Sequence, residues 1–184
     1  MTLIALDVET GGFDTDKNPL LSMALIELAE DLTPTKNALS LFILPEPQLE
    51  VTEGAAKVNG YSRELWESRG AIPLRQAMTE VADWLPRDPV ALAHHAAFDR
   101  RFYNCSERRT GIFTRLNMNW VCSCEKFREL DRLLNLKAVN HKLDTLAAMS
   151  GRWGPGYDRG KHEALDDALA CAAGYRWLCG LEKK

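Results

Sequence analysis

The chain has 184 residues, 46% of them hydrophobic and 27% charged, with a formal net charge of −3. Length and near-average composition fit one folded domain over residues 1–184 and exclude a disordered, fibrous or disulfide-dependent chain. No run approaches the roughly 18 apolar residues of a membrane-spanning helix, and the negative net charge excludes a strongly basic nucleic-acid coat.

Residues 3–6 are a short apolar run that reads as a buried strand. The start lacks a positive flank and meets Asp7 at once, so it is not expected to be a signal peptide. The strand ends in Asp7-Val8-Glu9-Thr10-Gly11-Gly12, where the glycine pair signals a turn. Residues 20–28 and 38–44 are the second and third strands, the latter stopped by Pro45 and Pro47. Their short connections leave no room for a crossover helix, which implies antiparallel neighbours. Residues 45–73 read as loop and short helix. Residues 74–85 carry an apolar stripe at helical spacing between Pro73 and Pro86. A fourth strand is expected at 89–93, a helix at 98–109 and a fifth strand at 120–123. Helices follow at 125–136, 143–149 and 164–181, with an open loop at 152–160 before the last. The order predicts an α/β fold, a five-stranded mixed sheet flanked by helices.

Five cysteines (Cys105, Cys122, Cys124, Cys171 and Cys179) at irregular spacing suit a reducing compartment, so a cytoplasmic location is expected. Cys122-Ser123-Cys124 is too tight for the usual zinc hairpin. Charge is unevenly placed. Residues 1–60 hold ten acids against three lysines, whereas residues 100–115 hold five arginines against Glu107 alone. One region is suited to cations, another to a polyanion.

Three clusters carry potential chemistry. Asp7 and Glu9 lie two apart on a strand, so both carboxylates face one side. Such a pair repels unless one acid is protonated or a cation lies between them, and hard divalent ions prefer carboxylate oxygens. His94-His95-Ala96-Ala97-Phe98-Asp99 follows the fourth strand. Asp99 in a first helical turn is equally explained by the helix dipole. His162 lies five residues before the helix-borne Asp167, and the unperturbed imidazole pKa of about 6.5 suits a residue that takes a proton near neutral pH. Taken singly, each cluster has a bland structural explanation.

Together, in this order, the clusters resemble the DEDDh (DnaQ-like) family of 3′-to-5′ exonucleases, which includes the proofreading subunit of bacterial replicative polymerase, ribonuclease T and exodeoxyribonuclease X. The family's Asp-x-Glu-Thr-x-Gly stands here at Asp7 to Gly12, its His-Asn-x-x-Phe-Asp at His94 to Asp99, and its His-x4-Asp at His162 and Asp167. His95 replaces the usual asparagine. Weaker likenesses cover residues 56–60, where Asn59 stands for a more usual histidine, and residues 120–123 and 141–146.

The resemblance implies a ribonuclease-H-like fold, with the first three strands antiparallel and the rest parallel to the first. It implies Asp7, Glu9, Asp99 and Asp167 as ligands of two divalent ions, Mg2+ or Mn2+, with Asp7 bridging. His162 becomes the general base, and the products are nucleoside 5′-monophosphates. The implied partner is a single-stranded or frayed nucleic-acid 3′ end, DNA slightly favoured, with no membrane. A homodimer or a polymerase partner is compatible with the pattern. Thr10 and Gly11 are expected against the terminal nucleotide, Phe13 as a stacking surface, and His95 as a tuning contact. Arg100, Arg101, Arg108, Arg109 and Arg115 are candidate phosphate contacts, of which no more than two are expected to serve. The alternatives are an exoribonuclease, a silent nucleic-acid-binding module of the same fold, and a non-nuclease protein that binds divalent ions.

Overall fold

The computed structural model describes residues 1–154, 160 and 162–182, with the side chain of Asn117 outside the description. Three strands come first: β1 (Thr2–Thr10), β2 (Leu20–Leu28) and β3 (Pro34–Leu44). Two short helices, α1 (Glu53–Asn59) and α2 (Arg63–Ser68), fill the segment expected to be loop and short helix. Both are capped by a hydroxyl, Thr52 on the amide of Ala55 and Ser62 on the amide of Leu65. Then come β4 (Ile72–Pro73), α3 (Leu74–Trp84), β5 (Pro89–Ala93), α4 (Ala96–Thr110), β6 (Trp120–Cys122), α5 (Ser123–Leu134), α6 (Leu143–Met149) and α7 (Ala164–Leu181).

The sheet has six strands in the order β4-β3-β2-β1-β5-β6. β1–β2 and β2–β3 pair antiparallel, while β1–β5 and β5–β6 pair parallel. The expectation of five strands is corrected by β4. It has two residues, Ile72 and Pro73, and pairs parallel with Ile43 and Leu44. A two-residue strand ending in proline has no hydrophobic period from which to be read.

β1 is central and alternates between two cores. Ile4, Leu6 and Val8 pack into one with Leu74, Met78 and Val81 of α3 and Phe102 and Tyr103 of α4. Ala5 faces the other, with Leu143 and Ala147 of α6 and Ala168, Cys171 and Ala172 of α7. The sheet is therefore covered on both faces, which is why its middle strands are almost continuously apolar. The small residues of α7 allow a close approach. At Gly174 an added Cβ would lie 2.4 Å from Cγ of Leu146. The open loop expected at 152–160 falls partly outside the described residues. All five cysteines are free thiols. Among the described residues no helix is long and apolar enough to cross a membrane.

Candidate active site

β1 and β5 run parallel, so their carboxyl ends share one edge of the sheet. Functional groups gather at this edge because the chain leaves the sheet there in loops and helix starts. Asp7 and Glu9 lie near the end of β1, and Asp99 in the first turn of the helix that follows β5. α7 brings Asp167 in its own first turn, with His162 just ahead of it. Asp7, Glu9, Asp99, Asp167 and His162 all line one cavity of about 760 Å³. Thr10, Phe13 and His95 line it too.

Donor atoms of Glu9, His162 and Asp167 lie within 4.8 Å of one another. Nδ1 of His162 is 3.8 Å from Oδ2 of Asp167. Glu9, Asp99 and Asp167 are buried, and His162 is partly exposed at the rim. Burial first, and then the Glu9 carboxylate, push the pKa of Asp99 up to about 7; backbone hydrogen bonds from its own amide and from Val8 pull the other way. These are acids crowded where water is scarce. Carboxylate oxygens with one imidazole are a donor set that hard divalent cations accept, so the residues fit such ions.

The segments that carry these groups are tied down. The His162 amide donates to the carbonyl of Val58, 3.1 Å away. Arg69, after α2, pairs with Glu163 at 3.0 Å and lies over the rings of Phe42 and Trp66. Asn59 is buried and donates to the carbonyl of Thr10 at 3.1 Å, so it braces the end of β1. His94, also buried, reaches the carbonyl of His141 through Nε2 at 3.0 Å and Ser123 Oγ through Nδ1 at 2.9 Å. A carbonyl only accepts, so Nε2 carries a hydrogen. His94 is thus a strut between the end of β5 and the start of α6. That start places Lys142, Leu143 and Asp144 on the cavity wall.

The remaining sequence expectations divide. Gly11 lies between Thr10 and Gly12 of the cavity wall, and its backbone is held on both sides. Its amide donates to the carbonyl of Pro19 and its carbonyl accepts from Thr52, both at 2.8 Å. An added Cβ there would lie 2.5 Å from Cδ of Pro19, so packing alone already requires glycine. Phe13 is 85% exposed and meets Phe98 edge-on at 6.1 Å. Phe98 serves twice, packed against the core and lining the cavity. His95 is exposed as a residue, and partial desolvation of its ring, followed by the charge of Arg128, lowers its pKa. Among the arginines, Arg109 pairs with Glu46 and Arg115 with the carbonyl of Arg87. Lys142 and Asp144 lie in the segment 141–146 that carries a weaker family likeness but were not singled out as site residues, and Arg128 carries no local motif.

The exonuclease family model of RNase T matches residues 4–175. The chain belongs to the RNase T exonuclease family. The ribonuclease T of Haemophilus influenzae is 31% identical over 121 residues, covering 59% of this chain and 52% of that protein. The chain spans about half the length of the ribonuclease T relatives it matches. E. coli exonuclease I in complex with a dT13 oligonucleotide superposes with a TM-score of 0.79 at 14% identity, covering 96% of this chain and 40% of that one. Exonuclease X in complex with 5′ overhanging duplex DNA superposes at 0.67 and 16% identity, covering 99% of this chain and 93% of that one. These superpositions establish the exonuclease fold, with its mixed sheet and flanking helices.

Proposed function

We propose that the protein is a 3′-to-5′ exonuclease that removes nucleoside 5′-monophosphates from single-stranded or frayed 3′ ends with the help of two divalent ions. The observation that carries this is the convergence of four carboxylates and one histidine, from three distant segments, on one cavity. A binding module of the same fold would have no use for all five. Asp7, Glu9, Asp99 and Asp167 would hold the ions, Mg2+ or Mn2+. When bound, such a pair supplies Lewis acidity to both ends of an in-line displacement at phosphorus.

The chain's own residues do the rest. His162 takes a proton from the attacking water, and its place at the cavity rim lets it exchange that proton with solvent. Water oxygen bonds to phosphorus and the bond to the upstream 3′ oxygen breaks. The departing 3′ oxygen takes a proton from solvent and becomes the upstream strand's 3′-hydroxyl, and the phosphate leaves on the 5′ oxygen of the released nucleoside. Thr10 borders the terminal sugar, Phe13 stacks on the terminal base, and His95 adds a polar contact. The family match over residues 4–175 supports reading the chain as one exonuclease domain.

DNA is the favoured substrate, supported by the DNA complexes of exonuclease I and exonuclease X. The 31% identity to ribonuclease T supports the second reading, an exoribonuclease. Chromatography of the products from a pentanucleotide tests the proposal. Nucleoside 5′-monophosphates are expected from the wild type and none from Asp7→Ala; nucleoside 3′-monophosphates or internal fragments would overturn it.

A further inference from the structure

A second groove, of about 600 Å³, adjoins the cavity. Phe13, His95 and Phe98 line both, so the two share an aromatic wall. Beyond that wall the character changes from acidic to basic. Arg101 and Arg128 line the groove, with Glu125 as its acid. The topology explains the pairing. β5 and β6 are neighbouring parallel strands, and each leads at its carboxyl end into a helix. Arg101 is the sixth residue of α4 and Arg128 the sixth of α5. Both side chains are exposed, and among the described residues neither takes part in an ion pair. The Arg101 guanidinium sits 5.7 Å from the Phe98 ring centre.

We infer that this groove holds the strand immediately upstream of the 3′-terminal nucleotide, with Arg101 and Arg128 gripping its backbone phosphates. Guanidinium forks suit phosphate oxygens, and aromatic faces between cations suit a polymer that alternates bases with phosphates. The acidic cavity needs metal ions before it can admit a phosphate, whereas the groove offers its positive charge without them. The strand therefore runs from the groove, over Phe13 and Phe98, into the cavity. For its substrate this rests on the exonuclease reading.

The test uses the full chain, a fluorescent hexathymidylate and its dinucleotide counterpart. Binding is followed by fluorescence anisotropy over a series of salt concentrations, with chelator present so that nothing is cut. In Arg101→Ala/Arg128→Ala, hexanucleotide affinity is expected to fall at least tenfold. The logarithmic salt slope should shrink by about 1.4, because each single-strand phosphate contact contributes roughly 0.7. Arg132→Ala, which removes the same charge farther along α5, should match the wild type. With magnesium, the double variant's loss of kcat/KM on the hexanucleotide should exceed its loss on the dinucleotide by about tenfold. An unchanged salt slope, or equal losses on the two lengths, would overturn the groove while leaving the exonuclease reading intact. A wild-type protein that binds the hexanucleotide through these arginines but shortens nothing would keep the groove and sink the exonuclease.

Discussion

Asp99 is 4% exposed, and burial together with the Glu9 carboxylate raises its pKa from 3.8 to about 7. An acid that holds its proton more tightly when folded gives stability that is complete below about pH 4 and is lost as pH rises through 7. Without metal, Asp99→Asn should therefore raise Tm relative to the wild type at pH 8 and change it far less at pH 5. Calorimetry in chelator reads this directly, and equal effects at the two pH values would contradict it. His162→Ala should lower kcat by about 10²–10⁴-fold, the usual range for a general base, while calorimetric Mn2+ binding persists. An unchanged kcat would remove His162 from that role. The carboxylates and His162 were legible in the sequence because their residue types and spacings are local. Arg128 was not, since only the packing of α5 brings it to the groove. The packing need for glycine at position 11 was not legible either, since only the fold brings Pro19 and Glu50 against it.

Whole elements were easier to read where their signals were strong. β2, β5, α6 and α7 have the bounds expected from apolar pattern and breakers, and β1 and β3 are longer than expected at one or both ends. α5 begins two residues early, at Ser123, because the chain turns directly out of β6. Contacts between elements leave no such signal in the sequence. α6 and α7 meet at Gly174, against the buried Leu146. Gly174→Ala should cost about 1–3 kcal/mol through overpacking, measured by urea denaturation; a neutral result would show that the helices separate freely. The Arg69–Glu163 pair links the end of α2 to the segment bearing His162. Exposed pairs contribute about 0.2–1 kcal/mol, so Arg69→Ala should lower kcat no more than about fivefold with KM unchanged. Exchanging the two charges, Arg69→Glu with Glu163→Arg, should recover part of the loss. A fall in KM-controlled binding instead would place Arg69 on the substrate.

At the scale of the molecule, a mixed sheet covered on both faces brings the carboxyl ends of β1 and β5 together with the start of α7. Segments almost the length of the chain apart thereby supply one set of acids. The net charge of −3 is no obstacle to a polyanionic substrate, because charge is placed locally: Asp7, Glu9, Asp99 and Asp167 line the cavity where cations would sit, and Arg101 and Arg128 line the adjoining groove. The most direct measurement uses matched single-stranded DNA and RNA labelled at the 5′ end, incubated with magnesium and resolved at single-nucleotide steps. A ladder shortening from the 3′ end is expected, strongest on DNA, abolished by chelator, restored by added magnesium and absent in Asp7→Ala. Strands of both kinds that stay full-length with magnesium and with manganese would contradict the exonuclease.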